Sequence, residues 1–325
     1  MIFEHIHGSG GYDVMDRTLE AIDGISCAVI KNGVTGFLPT TMTMSKEKIY
    51  AALESVRVAM SSKAKGAKVL GAHMEGPFIN KKYKGAQPEN FIIKPNYKFI
   101  ENYTDVLKLI TLAPEMDENL EFIKETRQKT NIILSIGHSS AEYEEAMKAI
   151  EHGITHATHT FNAMSPLNHR KPGIVGAAFN SDIYCEVIAD NIHVHPAIFK
   201  TLKKIKGKER LILITDSMRA GCLKDGISEL GGQKVIVKDN SARLEDGTLA
   251  GSVLKLNKGI KNFMDNSGMD ICDAIGLVSI NPARELALDK IKGSLEKGKF
   301  ADIVILDEEF NIKQTIVEGK TFYKI

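Results

Sequence analysis

Residues 131–159, NIILSIGHSSAEYEEAMKAIEHGITHATH, decide the fold class. An apolar run at 131–136 leads through Gly137 and His138 into AEYEEAMKAIEHG, whose apolar positions recur at helical spacing, and a second apolar run follows at 154–158. Strand, helix and strand in so short a stretch make a βαβ unit, and such units build parallel sheets. The same unit recurs on both sides. Further runs at 2–7, 34–39, 68–74, 107–112, 184–189 and 211–215 bring the strands to eight. Amphipathic stretches such as SKEKIYAALESVRVAM (45–60) and MDENLEFIKETRQKT (116–130) separate them, several opened by a Ser or Asp able to cap the first turn. Eight strands predict an α/β fold, a closed (β/α)8 barrel with its active site at the C-terminal strand ends.

Beyond Asp216 the pattern changes. KVIVKDNSARL (234–244) reads as a hairpin inside an insertion near 226–252, while KLNKGIKNFMDNSG (255–268) and DICDAIGLVSINPARELA (270–287) read as two helices. The tail turns to period-two strands in ADIVILD, IKQTIVEG and KTFYKI. Residues 1–290 are therefore expected to form the barrel, and 291–325 part of a small β-sheet domain outside it.

The 42 basic and 41 acidic residues nearly cancel, which gives no electrostatic attraction to nucleic acid or to an anionic membrane and favours a small-molecule partner. Cys27, Cys185, Cys222 and Cys272 lie far apart and fit neither a disulfide framework nor a metal knuckle, pointing to a reducing, cytoplasmic setting. The start MIFEHIHGSGG has neither the basic segment nor the apolar core of a signal peptide. Its glycines do not match the spacing of a nucleotide-binding loop.

Candidate chemistry collects at predicted strand ends. His5 and His7 form an H-x-H pair whose i, i+2 spacing sends both imidazoles to one face. Glu75 follows the third strand, His138 the fifth, His159 the sixth and Asp216 the eighth. Each alone reads as an ordinary histidine or helix cap. Jointly they are a ligand set for zinc or ferrous iron, one or two ions. His73, His152, His156, His169 and His195 are set aside from metal binding, although spacing does not separate His156 from His159 or His195 from His193 for other roles.

From about residue 5 onward the chain resembles the N-acetylglucosamine-6-phosphate deacetylases of the amidohydrolase superfamily. The resemblance rests on HIHGSGGYDVMD, GFLPTTMT, HMEGPFINKKYKGAQP, TLAPE, GHSSA, THTFNAM, the Arg170 region, IADNIHVHP, TDSM, LAGS, NPAR and GSLEKGKFADIVILD. It implies one metal site of Glu75, His138 and His159, and a second of His5, His7, Glu75 and Asp216, with Glu75 bridging. Asp216 would be the general base, and Gln87, beside Ala86, would polarise the acetyl carbonyl. Asn162 and Ala163 would meet the phosphate end, His193 a sugar hydroxyl, and Leu249, Ala250 and Gly251 the sugar from above. Arg170 would reach the phosphate bound by a neighbouring subunit, which implies a homodimer. Two departures stand out: Phe3 occupies a position where the family usually has Asp, and the β-structure that precedes the barrel in the family, completing the small sheet, has no counterpart ahead of His5. Another amide as substrate, or a non-catalytic oligomeric scaffold, are the rival readings. A scaffold is expected to lose metal ligands, and all six candidates are present.

Overall fold

The computed structural model describes residues 1–325. Eight parallel strands follow one another around the molecule: β1 (Ile2–Ile6), β2 (Gly36–Thr41), β3 (Ala72–Glu75), β4 (Leu107–Leu112), β5 (Ile133–Ile136), β6 (Ile154–Ala157), β7 (Tyr184–Ile188) and β8 (Leu211–Ile214). Each pairs with the next. The circle closes just beyond β8, where His5 O accepts from Asp216 N at 3.2 Å and His7 N donates to Ser217 O at 2.9 Å. The predicted barrel is present. The second strand lies two residues later than the expected 34–39, and the expected run 68–74 is interrupted at Leu70 and Gly71, where Gly71 adopts φ +152°.

The outer helices include α1 (Leu19–Val29), α2 (Lys46–Ser61), α3 (Glu121–Lys129), α4 (Tyr143–His152), α5 (Gly173–Phe179) and α6 (Ala197–Lys206). Caps differ from the simple expectation. Ser45 makes no side-chain bond at the start of α2. Asp117 does, accepting from Phe122 N and Ile123 N at 3.0 Å each ahead of α3, and α4 starts on a reciprocal Glu142–Glu145 capping box.

The predicted hairpin is the middle of a four-stranded antiparallel sheet, β9 (Gly226–Leu230), β10 (Gln233–Lys238), β11 (Ser241–Leu244) and β12 (Leu249–Ser252). After α7 (Leu256–Ser267), the second expected helix divides into α8 (Ile271–Gly276) and α9 (Ile280–Glu285). Ser279 between them has non-helical φ and ψ of −134° and −78°, and Pro282, which has no N–H to give, sits in the first turn of α9. The tail strands β13 (Ile303–Leu306), β14 (Ile312–Val317) and β15 (Lys320–Lys324) form an antiparallel three-stranded sheet.

Inside the barrel the side chains change character from floor to mouth. Leu38, Leu109 and Ile133 are buried together, with Leu70 and Leu286 packed against them. Higher up, the His73 ring lies between Thr40 Oγ1 at 3.3 Å and Thr111 Oγ1 at 2.8 Å, and Thr111 is bonded to Thr158 at 2.7 Å. Burial holds the His73 pKa well below its ordinary value, consistent with a neutral structural ring.

Leu109→Ala is expected to destabilise the protein by about 2–5 kcal/mol, because a rigid barrel cannot collapse onto the cavity. Thermal unfolding followed by circular dichroism checks this. An unchanged midpoint would show that the Leu286 end of α9 does not brace the floor.

Candidate active site

His5 lies near the end of β1 and His7 one residue beyond it, and Glu75 is the last residue of β3. His138, His159 and Asp216 each stand two residues beyond their strand, and each is left-handed, with φ of +48°, +29° and +50°. Such a conformation costs a non-glycine residue about 1–3 kcal/mol. Three in one ring of loops mark a place where surrounding structure dictates the backbone, breaking strand alternation so that the side chains meet over the mouth.

They meet on Glu75. Its Oε1 lies 3.1 Å from His159 Nε2, 3.2 Å from His138 Nε2 and 3.4 Å from His5 Nε2, while Oε2 lies 3.1 Å from His7 Nε2. Asp216 Oδ1 is 3.4 Å from His5 Nε2 and 3.3 Å from His7 Nε2. All six candidate ligands from the sequence therefore come together: two groups, His5–His7–Glu75 and Glu75–His138–His159, share Glu75, and Asp216 adjoins the first through His5 and His7.

The far side of each ring fixes which nitrogen faces the centre. The Nδ1 of His7 lies 3.2 Å from Thr40 O, that of His138 2.8 Å from Tyr83 O and that of His159 3.1 Å from Asn162 O. His5 Nδ1 lies 3.0 Å from the Glu186 carboxylate. Carbonyls and carboxylates accept, so Nδ1 donates and Nε2 presents its lone pair inward. The Nε2 atoms of His138 and His159 then face each other at 3.1 Å. Two lone pairs so close repel unless a cation lies between them, and ligand atoms on a tetrahedral zinc are roughly 3.3 Å apart. The donor set thus suits a divalent metal.

Without a metal, protons on the imidazoles supply the positive charge at the centre: against burial, hydrogen bonds to Asp216 and Glu75 raise the His7 pKa well above its ordinary value. Burial would raise the Glu75 carboxyl, yet His5, His138 and His159 outweigh it and hold its pKa well below the ordinary range. Asp216 is likewise lowered against burial by His5 and His7. Both carboxylates are ionised at neutral pH.

Above lies a cleft of about 490 Å³ lined by His7, Glu75, His138, His159 and Asp216 at its base. Ala86, Gln87, Asn162, Ala163, His193, Leu249 and Gly251 line it as well. Gln87 is held in place, its Oε1 accepting from Thr43 N at 2.8 Å and its Nε2 donating to Glu75 Oε2 at 2.6 Å. His193 Nδ1 is 2.6 Å from Asp190 Oδ2. Ala250 is fully buried and does not line the cleft, as strand alternation between Leu249 and Gly251 requires. Arg170 is exposed in a turn outside the cleft.

The pattern of the amidohydrolase family matches residues 5–322. An N-acetylglucosamine-6-phosphate deacetylase of Bacillus subtilis is 41% identical over 327 residues, covering 98% of this chain and 82% of that protein. The chain belongs to the amidohydrolase family, in its N-acetylglucosamine-6-phosphate deacetylase group. The crystal structure of N-acetylglucosamine-6-phosphate deacetylase from Thermotoga maritima superposes with a TM-score of 0.93 at 37% identity, covering 100% of this chain and 88% of that one. An N-acetylgalactosamine-6-phosphate deacetylase of Escherichia coli O157:H7 is 35% identical, over 97% of this chain and 85% of that protein.

Sequence reasoning missed several groups of this amidohydrolase site. Glu186 lies within β7 with no local signature. Lys82 and Arg243, the cationic lining of the cleft, carry no local signature in KKYKG or in the insertion. Only the strand register of the insertion over the mouth would have singled out Arg243.

Because Glu75 belongs to both ligand groups, Glu75→Ala is expected to remove metal from both, whereas His138→Ala should leave the His5–His7 group able to bind. Elemental analysis after exhaustive dialysis measures this. A full metal complement in Glu75→Ala would contradict the shared-ligand geometry.

Proposed function

We propose that this amidohydrolase removes the acetyl group of N-acetylglucosamine 6-phosphate, giving acetate and glucosamine 6-phosphate in amino-sugar catabolism. The observation that carries the reading is the convergence of four imidazole Nε2 atoms on Glu75 with Asp216 beside them, at the base of a cleft large enough for a sugar phosphate. Glu75, His138 and His159 would hold one divalent ion, and His5, His7, Glu75 and Asp216 a second, with zinc or ferrous iron suited to the donors. A bound metal would lower the pKa of water from far above neutrality toward ~7 and would withdraw electrons from the acetyl carbonyl.

The chain's own groups do the rest. Asp216, ionised and beside the metal ligands, takes a proton from the attacking water and returns it to the glucosamine nitrogen as the carbon–nitrogen bond breaks. Gln87 has a second amide hydrogen free of Glu75 and donates it to the developing oxyanion. His193, held through Nδ1 by Asp190, keeps Nε2 for a sugar hydroxyl. Asn162, Ala163 and the segment Leu249–Gly251 border the rest of the sugar phosphate.

The same reading makes the protein a cytoplasmic homodimer, with barrel 1–290 carrying the chemistry and 291–325 belonging to a small accessory sheet. Exposure of Arg170 away from its own cleft supports a role at the neighbouring subunit's phosphate. No helix is long and apolar enough to cross a membrane. The relative acting on the galactosamine epimer makes the two N-acetylhexosamine 6-phosphates the necessary substrate pair to compare.

Asp216→Asn is expected to lower kcat about a thousandfold or more while substrate binding persists, since one group serves both proton transfers. Acetate release measures this, and retention of more than about a tenth of activity would remove Asp216 from the role.

For Arg170, a guanidinium grips phosphate through paired charge-assisted bonds that lysine cannot reproduce. Arg170→Ala should raise KM for the phosphorylated sugar and leave the weak reaction of N-acetylglucosamine unchanged. Mixing Asp216→Asn with Arg170→Ala subunits, after dissociation and reassociation, should restore activity toward roughly a quarter of wild type. No recovery despite demonstrated exchange would defeat the shared phosphate site.

A further inference from the structure

Beneath the mouth lies a second cluster that the deacetylation mechanism does not use: Glu4, His156, Glu186 and Glu285. Glu4, His156 and Glu186 are at most 1% exposed, and the Glu285 side chain is 4% exposed. His156 Nε2 is 3.2 Å from Glu186 Oε1, and His156 Nδ1 is 2.7 Å from Glu285 Oε1. The other Glu186 oxygen, Oε2, lies 3.0 Å from His5 Nδ1 and accepts from His159 N at 2.9 Å. A continuous chain of contacts thus runs from α9 through β6 and β7 to a metal-ligand candidate on β1 and to the backbone of another after β6.

His5 needs this support more than its neighbours do. The pairing of β1 with β2 slips between Phe3 and Ile6, so regular pleating does not set the His5 side chain. The rings of His7, His138 and His159 are each tied to a backbone carbonyl, which the fold fixes directly. His5 alone leans on a side-chain carboxylate, and that carboxylate is only as well placed as its own partners. Burial also makes partners necessary, because an unpaired charge away from water is strongly destabilising. The slip has a second result. It buries Glu4 beside the cluster, both of its oxygens without a hydrogen-bond partner.

We propose that Glu285 and His156 are positioning residues that act through Glu186 on His5, holding its Nε2 toward the mouth and so setting the metal affinity of the His5–His7 half of the centre. A divalent ion in the lower cluster is the less suitable occupant. Both His156 nitrogens already face carboxylates, and the 2.7 Å contact is a hydrogen-bond length, shorter than the separation of two ligands on a zinc. The proposal rests on the metal reading of the mouth.

The test measures zinc affinity of chelator-stripped protein in two backgrounds. In His138→Ala, where the His5–His7 group is the remaining site, Glu285→Leu should weaken zinc binding about tenfold or more, with Glu285→Gln, which keeps an acceptor, closer to the parent. His156→Gln should behave like Glu285→Leu. In His5→Ala, where the relay has lost its side-chain target and reaches only the His159 backbone, Glu285→Leu should weaken the remaining site much less than it does in His138→Ala. Circular dichroism confirms that each variant is folded. If His156→Gln and Glu285→Leu both fail to fold, Glu285→Met, which removes the acceptor at similar volume, decides, since unchanged zinc affinity in the His138→Ala background overturns the relay. Equal weakening in both backgrounds means general loosening and also overturns it. Zinc bound to the lower cluster after the mouth ligands are removed, and lost on Glu4→Gln, would make it a cation site instead. Wild-type protein that takes up no metal would defeat the metal reading itself, an outcome separate from failure of the relay.

Discussion

The barrel closes through its own active site. Two backbone bonds at the seam, Asp216 N to His5 O and His7 N to Ser217 O, join the first strand to the chain leaving the last, and they are made by three of the candidate ligands and their neighbour. Closure of the fold and placement of the His5, His7 and Asp216 side chains are therefore one constraint. A sheet that failed to close would separate Asp216 from the histidines it faces. The converse also holds, because attraction between Asp216 and the imidazoles, or a cation shared by them, draws the seam together.

Glu75 extends that constraint across the mouth. Its Oε1 faces His5, His138 and His159 and its Oε2 faces His7, so one buried carboxylate connects the seam histidines to His138 and His159 on the far strands. Left-handed backbone at His138, His159 and Asp216 is tolerated because each loop has other ties: Asn80 N donates to His138 O, Asn162 N to His159 O and Ser252 N to Asp216 O. Local strain is stored where the side chains must converge, which is where strain has a functional meaning.

Much of this was legible in the sequence because barrel strands are read by period and ligands by position. LILITD, LSIGH and THATH each run an apolar strand into an ionisable group, and the structure brings those groups within about 3.5 Å of one another's partners. The parts that were not legible depend on register and on contacts distant in sequence. Glu186 sits inside an apolar strand, and its role comes from His5, 181 residues away. His156 looked interchangeable with His159 by spacing, yet the turn after β6 sends one to the floor and the other to the mouth. The helix from 270 to 287 was too long because Ser279 and Pro282 act as a break only in the context of α8 and α9.

The insertion β9–β12 is the last piece, and its attachments define how it covers the site. Gln233 Nε2 donates to Ala86 O at 2.7 Å, next to Gln87, while Ser252 N donates to Asp216 O at 2.8 Å and Met218 N to Ser252 O at 3.0 Å. The insertion is thus fastened at one side to the loop carrying Gln87 and at the other to Asp216, the proposed base. Two such anchors tie the insertion to both sides of the cleft. Lys82 stands on the loop that leads to Gln87 and Arg243 on β11 of the insertion, and both line the cleft. Cationic side chains and the candidate metal ligands thus line one cleft from different elements, the former from surface loops and the insertion, the latter from the barrel strand ends.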